Sequence, residues 1–148
     1  MPEHTAPVVS AASVPAPVSA RGRWAGLALR TVQVVLALFF ALASALPKLI
    51  AHASAVESFD DMGWGSAGMY IIGALELAGA IGLLVPVLQS AAAVGLSALM
   101  VGACVVQIVV FDGQYAVTPV ILLVPLVLIA RVRREHNAEL LRLVRRQG

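Results

Sequence analysis

The sequence predicts an all-α integral membrane protein, a four-helix bundle with its N- and C-termini in the cytoplasm. Three observations lead to this prediction: the composition, four apolar blocks of roughly spanning length, and basic residues grouped before the first block and after the last one. Of 148 residues, 60% are hydrophobic and 12% are charged. Soluble domains carry about 25% charged residues, and disordered chains are poor in apolar ones. The composition therefore excludes both classes.

The N-terminal segment, residues 1–22, is expected to be a disordered tail. Pro2, Pro7, Pro15 and Pro17 stand there among Ala, Ser and Val, with no apolar periodicity. Prolines at this density block a regular helix, and such short apolar stretches cannot form a core. Residues 23–132 are expected to form the membrane domain, and residues 133–148 a basic cytoplasmic tail.

The membrane domain is predicted to contain four helices, at about residues 24–46, 67–85, 91–110 and 116–132. A helix needs about 20 apolar residues to cross a ~30 Å hydrocarbon layer. The second and third blocks meet this length directly, and the others meet it if Arg30 and Arg131 reach the headgroups. Pro119 falls in a first helical turn, and Pro125 should kink the last helix, which membrane helices tolerate. Continuous apolar runs lack the alternation of barrel strands.

The first block has a second interpretation, as a signal peptide. Arg21, Arg23 and Arg30 precede an apolar core that ends in Ala41-Leu42-Ala43-Ser44-Ala45, which resembles an A-x-A cleavage site. Cleavage there would leave three spans and place the two ends of the mature chain on opposite sides of the membrane.

The distribution of charge predicts the topology. Three arginines flank the start of the first block and six follow the fourth, whereas the loops between spans carry Glu57, Asp60, Asp61 and Asp112. The positive-inside rule then places both termini in the cytoplasm. Four spans return the chain to its starting side, so the number of spans and the charge distribution agree. The expected location is the bacterial inner membrane. Because the membrane topology explains the basic residues, they do not indicate nucleic-acid binding. Residues 131–148 also have an amphipathic pattern, which suits either a helix on the inner leaflet or a solvated tail.

Glu76 is the first candidate functional residue, since it lies near the middle of the second block. A carboxylate at the bilayer centre costs about 2.5–3.5 kcal/mol, so it should face the bundle interior and have a partner. Glu76 would either bind a ligand or relay protons, or it would form a hydrogen bond that holds two helices together. The nearby small residues are expected to pack helices closely: Gly73, Gly79 and Gly82, with Gly95 and Gly102 in the third block.

Lys48 closes the first block and ends a narrow stripe of small and polar residues at helical spacing: Gln33, Ala37, Ala41, Ser44 and Lys48. At ~1.5 Å per residue, Glu76 lies roughly 13–18 Å below the outer surface and Lys48 about 5 Å below it. A direct pair would need a tilted helix or a deeper Lys48, so a shared polar pocket is the easier prediction. Gln107, Tyr70 and His52 are further candidates near that depth or just outside it.

No residue pattern indicates a catalytic, metal or redox centre, so the catalytic residues stay unknown. Cys104 is the single cysteine and is expected to be a small core residue. No histidine pair lies within the predicted spans, which excludes haem held by two histidines. Neither a phosphate-binding nor a dinucleotide-binding motif is present. Neither a metal nor a covalently bound cofactor is therefore expected.

The sequence resembles the DoxX family of small four-helix membrane proteins over about residues 30–130. The matching segments are Phe39 to Leu49, which contains Pro47-Lys48-Leu49, then Tyr70 to Glu76 with its G-x-x-E element, and Ala80 to Pro86. The resemblance puts functional weight on Lys48, Gly73 and Glu76, and it favours a retained first helix over a signal peptide. Pro47 before the lysine, and Gln107 where some relatives have histidine, depart from the family pattern and argue against direct electron transfer.

Family members are associated with membrane redox complexes, including thiosulfate:quinone oxidoreductases and quinol oxidases. The resemblance therefore implies a subunit or partner of a quinone-linked redox complex, with quinone as the candidate ligand and redox-enzyme subunits as candidate partners. The alternatives are a small-molecule or lipid carrier, and a membrane scaffold without its own ligand. The lipid bilayer is the expected environment, and the sequence leaves the oligomeric state open.

Overall fold

The computed structural model describes residues 20–146, and side chains from residue 22 to 134; residues 1–19 and 147–148 lie outside the described part. The described chain is helical and contains no strand. Its elements are α1 (Ala20–Leu38), a π-helical segment (Phe39–Ala45), α2 (Leu46–Leu49), α3 (Ala53–Asp61), α4 (Gly65–Leu84), α5 (Gln89–Val110) and α6 (Val117–Arg146).

Three helices are long and apolar enough to cross a membrane: Gly22–Leu49, Gly65–Leu84 and Gln89–Val110. The predicted all-α class is thereby confirmed for the described part of the chain, and three of its helices could span a membrane. The helix α6 is not in this set, because Arg131, Arg133 and Arg134 lie within its described side chains. The helices begin and end within a few residues of the predicted blocks, except that α6 continues to Arg146 and α1 begins already at Ala20.

Pro47 explains the π-helical segment in the first span. Proline has no N–H and its ring crowds the preceding helical turn, so an α-helix cannot pass through it undisturbed. Here the N–H of Leu46 bonds the carbonyl of Ala41, five residues earlier, and the turn widens instead of breaking. The span therefore stays helical from α1 through α2 and carries Lys48 into the bundle.

A Schellman motif ends the first span at Ala51. The N–H of His52 bonds the carbonyl of Pro47 at 2.8 Å, and that of Ala51 bonds Lys48 at 3.3 Å. This motif needs a left-handed residue, and Ala51 has φ +51°. The same motif ends α3, where glycine takes the position as Gly63 with φ +72°.

We expect Ala51→Gly to raise the free energy of unfolding by about 0.5–1 kcal/mol, since glycine adopts this conformation without a steric penalty. The effect can be measured by denaturant unfolding of the purified protein in mixed micelles. Ala55→Gly, inside α3, is the matched control and should lower stability by about as much. A loss of stability in Ala51→Gly would contradict the assignment.

The hydrophobic core lies at one end of the bundle, which we call the closed end; it contains the start of α1 and the turn between α4 and α5. Its buried side chains come from the first span, α4, α5 and α6: Leu36, Ala37, Phe40, Ala80, Leu83, Ala93, Leu96, Met100, Leu126 and Ile129. The opposite end, with α2, α3 and the loop 111–116, we call the open end. Since the packed cluster is concentrated at the closed end, space is left between the helices at the open end.

Gln33 ties three helices together at the closed end. Its side chain is 3% exposed, and its amide donates a hydrogen bond to the carbonyl of Leu83. That carbonyl belongs to the last turn of α4, whose carbonyls have no partner within their own helix. Arg133 of α6 in turn donates to Gln33 Oε1 at 3.2 Å. Arg133 thus makes an interhelical contact in addition to the topological role that its charge predicts.

Candidate functional site

Lys48 and Glu76 form a direct ion pair. Lys48 Nζ lies 2.8 Å from Glu76 Oε2, and the two side chains are 18% and 5% exposed. Ser44 completes the arrangement, because its hydroxyl donates to Glu76 Oε1 at 2.9 Å and accepts from Lys48 Nζ at 3.1 Å. The ammonium also donates to the carbonyl of Ser44 at 2.9 Å. One compact network therefore joins the first span to α4.

The direct pair corrects the depth estimate, which favoured a shared pocket without contact. Counting residues along the axis ignores the direction of the side chains, and Cα–Cβ bonds tilt toward the N-terminus of their helix. Lys48 closes its span, so it points back into the bundle toward Ser44. Glu76 belongs to a helix that begins at the open end, so it points toward Lys48. The two long side chains converge from opposite directions.

Gly73 makes the approach of these two helices possible. A Cβ atom at Gly73 would lie 3.0 Å from Lys48 Cβ and 3.3 Å from the side chain of Leu49. Since Gly73 precedes Glu76 by about one helical turn, both face the end of the first span. The G-x-x-E element therefore has a physical basis: glycine leaves room for the Cβ of Lys48 and the side chain of Leu49, and glutamate pairs with the ammonium of Lys48.

A cavity of about 610 Å³ lies beside the ion pair at the open end. This volume is within the range of small-molecule sites, which is about 300–1,000 Å³. Its walls come from the π segment and from α3, α4, α5 and α6. The polar residues on the walls include Ser44, Lys48, Ser58, Glu76, Gln107, Tyr115 and Thr118, and the aromatic ones also include Phe39, Phe59, Trp64 and Phe111. The arrangement suits a mainly apolar ligand with one polar end.

Gln107 contributes an unsatisfied acceptor to this wall. Its Oε1 atom is buried and has no hydrogen-bond partner among the described residues. A buried amide oxygen without a donor costs about 1–3 kcal/mol, and such atoms are rare in native structures. Gln107 therefore lowers the stability of the fold, and its position on the cavity wall suits it to ligand binding.

Gln107→Leu should raise the free energy of unfolding by about 1 kcal/mol, because it removes an unpaired buried acceptor and keeps the side-chain volume. Denaturant unfolding in mixed micelles measures the change. Gln114→Leu, in the exposed loop 111–116, is the matched control and should change stability by less than about 0.5 kcal/mol. A clear loss of stability in Gln107→Leu would mean that the amide has a partner.

The other candidate residues are placed differently. Tyr70 and His52 are exposed and do not line the cavity; His52 Nδ1 instead lies 3.0 Å from Ser54 Oγ. Tyr115, Thr118 and Trp64 line it although the sequence did not mark them as ligand contacts. They lie on α6 or on loops beside it and α4, and no periodic pattern reveals which loop side chains turn inward.

The five glycines expected to pack helices fall into two groups. Cβ atoms at Gly79 and Gly82 would lie 2.6 Å from Leu96 and 2.8 Å from Ala92, so these glycines allow α4 to approach α5. Gly73 makes the contact with Lys48 described above. Gly95 and Gly102 correct the expectation, because a Cβ atom there would meet nothing within 4 Å. Gly102 instead lines the cavity. Cys104 is partly buried.

Comparison with protein families gives one match. The model of the DoxX-like family matches residues 31–129, a range that contains the ion pair, Gly73 and Gln107. No curated protein and no solved structure matches the chain. The match covers well over half of the chain and agrees with the residues that carried the resemblance. The chain therefore belongs to the DoxX-like family.

Proposed function

We propose that this protein is a subunit or partner of a quinone-linked redox complex in the bacterial plasma membrane, where the open-end cavity holds a quinone-type head group. The observation that carries the proposal is the Glu76–Lys48 pair on the wall of a cavity of about 610 Å³. The association of the DoxX family with membrane redox complexes supports the choice of ligand.

The proposed topology has four spans, with α6 as the fourth and both termini in the cytoplasm. The apolar part of α6 from Val117 to Ala130 supports this, as does the arginine group that follows it. The positive-inside rule places these arginines and those of α1 on the cytoplasmic side. The open end, with the acidic residues of α3, then faces outward, and the cavity lies in the outer half of the bilayer.

The cavity suits a quinone-type ligand in shape and chemistry. Its apolar and aromatic wall accommodates a ring and the start of a lipid tail, and its polar residues can fix the oxygens of a head group. Glu76, at 5% side-chain exposure, is the group that could exchange a proton with such a ligand. Among the described residues, no group of three or more His, Cys, Asp or Glu side chains could hold a metal ion. The proposal assigns the redox centre that exchanges electrons with the ligand to a partner subunit.

The test is Glu76→Gln in the complex isolated from native membranes. We expect quinone-linked activity to fall at least about tenfold, since a group that moves a proton typically contributes about 10²–10⁴-fold. Glu57→Gln is the matched control, because that carboxylate is exposed on α3 and does not line the cavity. Membrane insertion and complex assembly are checked for both variants. Full activity in a correctly assembled Glu76→Gln complex would refute the proposal.

A scaffold without its own ligand is the second candidate function. The hydrogen-bond network of Ser44, Lys48 and Glu76 favours it, because such a network can hold two helices together without any ligand. In that case Glu76→Ala would destabilise the fold while the complex that still assembles keeps its activity. Activity and unfolding must therefore be measured on the same preparations.

A further inference from the structure

We propose that the cavity selects ligands whose polar end donates hydrogen bonds: a hydroxyaromatic compound, and among quinone-type ligands the reduced hydroquinone over the oxidised quinone. The quinone-type part of this inference rests on the proposed function, whereas the preference for a donor rests on the hydrogen-bond capacity of the cavity wall alone. The juxtaposition that carries it is the Glu76 carboxylate, with its cation already occupied, and the unpaired Gln107 oxygen on the same cavity.

Lys48 has no donor left for a ligand. An ammonium group has three N–H donors, and three acceptors lie within hydrogen-bond distance of Nζ. They are Glu76 Oε2 at 2.8 Å, the Ser44 carbonyl at 2.9 Å and Ser44 Oγ at 3.1 Å. The hydroxyl of Ser44 is occupied as well, since its single proton is donated to Glu76 Oε1.

Glu76 keeps free acceptor capacity. Its carboxylate has about four lone-pair sites, and the structure shows one hydrogen bond at each oxygen. The charged end of the cavity can therefore accept from a ligand without breaking any existing hydrogen bond. To donate to a ligand, it would have to give up a contact within the ion-pair network.

Gln107 adds the second acceptor. Its Oε1 has no partner among the described residues, and its side chain lines the same cavity as Glu76. The last torsion of a glutamine side chain is broad, so a small rotation of the amide presents the oxygen to a bound hydroxyl. A ligand hydroxyl there would satisfy an atom that the protein leaves unpaired.

A quinone carbonyl offers only lone pairs and would face the lone pairs of Glu76. A hydroquinone of the same shape offers O–H donors in the same positions. The hydroxyls of Tyr115 and Thr118 also line the cavity and can donate or accept, so they do not discriminate between the two forms. The indole of Trp64 and the amide nitrogen of Gln107 are neutral donors on the same wall. The discrimination comes first from the Glu76 carboxylate, which only accepts and whose charge-assisted hydrogen bond is stronger than one to a neutral group. The buried Gln107 oxygen adds to it, because only a ligand donor satisfies that atom.

The test measures binding of three ligands that share one decyl-substituted ring: the hydroquinone, its quinone and its bis-O-methyl ether. The full chain is reconstituted in lipid nanodiscs, and titration calorimetry is run without oxygen, with empty nanodiscs as the partition control. We expect the hydroquinone to bind about 10- to 100-fold more tightly than the ether or the quinone. Equal or tighter binding of the quinone overturns the inference but leaves a quinone-linked function standing.

Two further outcomes separate this inference from the proposed function. If a decyl phenol binds as tightly as the hydroquinone, the donor preference is supported and the assignment to quinone-type ligands fails. If none of the compounds binds above the empty nanodisc, both are refuted.

Gln107→Leu is the variant test, since it is expected to fold. It should weaken the hydroquinone about tenfold and leave the bis-O-methyl ether unchanged, because the ether never donated to Gln107. Gln114→Leu is the matched control and should preserve all three affinities. An equal loss of affinity for hydroquinone and ether in Gln107→Leu would indicate an altered cavity shape and would overturn the role of the amide oxygen.

Discussion

Lys48→Met should lower the free energy of unfolding by about 3 kcal/mol or more, because it leaves the Glu76 carboxylate buried without its cation. Removing one partner of a buried ion pair typically costs about 3–5 kcal/mol, and the partial exposure of Lys48 at 18% places this pair toward the lower end. Glu76→Leu should cost a similar amount, since it leaves the ammonium with only Ser44 as a protein partner. Unfolding in mixed micelles measures both.

The double variant Lys48→Met, Glu76→Leu separates loss of pairing from loss of packing. We expect it to recover most of the stability that either single change removes, because two apolar side chains of similar volume carry no desolvation penalty. The coupling energy from the double-mutant cycle should then be at least about 2 kcal/mol. Two small and additive single effects would contradict a buried, mutually dependent pair.

The same double variant also distinguishes the two candidate functions. A folded bundle without the charged pair retains any role that needs only packed helices. It loses a role that needs an acceptor at the polar end of the cavity. Activity that survives in the double variant therefore favours the scaffold, and activity lost from a stable double variant favours a ligand or proton role.

The sequence predicts the helical class and the two principal site residues for clear physical reasons. A carboxylate in an apolar block must have a partner, and Lys48 ends a polar stripe that turns inward. Their contact could not be predicted by counting along the axes, because it depends on the opposite directions of the two helices and on the π segment beside Pro47. Tyr115 and Thr118 were missed since loop and helix-end positions carry no periodic signal.

The glycines expected to pack helices show a second feature that the sequence could not predict. Gly82 and Gly95 stand in similar apolar helices and look equivalent, yet Gly82 faces the methyl group of Ala92 and Gly95 faces open space. The rotation of each helix about its own axis decides this, and apolar residues all round a membrane helix leave that rotation unmarked. Only the packed structure separates glycines that admit a neighbour from glycines that do not.

Gly82→Ala should therefore destabilise the bundle by about 2 kcal/mol, although alanine is the better helix former. Its Cβ would lie 2.8 Å from Ala92 Cβ, an atom that cannot move without the backbone of α5. Gly95→Ala is the matched control at an open position and should be neutral or stabilising by as much as about 1 kcal/mol. Denaturant unfolding of both variants in mixed micelles gives the comparison.

The decisive experiment adds the compensating change. Ala92→Gly in the Gly82→Ala background moves the missing methyl group from one helix to the other and restores the space between α4 and α5. Ala92→Gly alone should cost about 1 kcal/mol through helix propensity, so the double variant should be more stable than Gly82→Ala even though it carries an additional unfavourable change. Simple additivity of the two losses would show that the two helices do not meet at these positions. A recovered double variant places the contact there, at the closed end that holds the four helices together while the open end keeps its cavity.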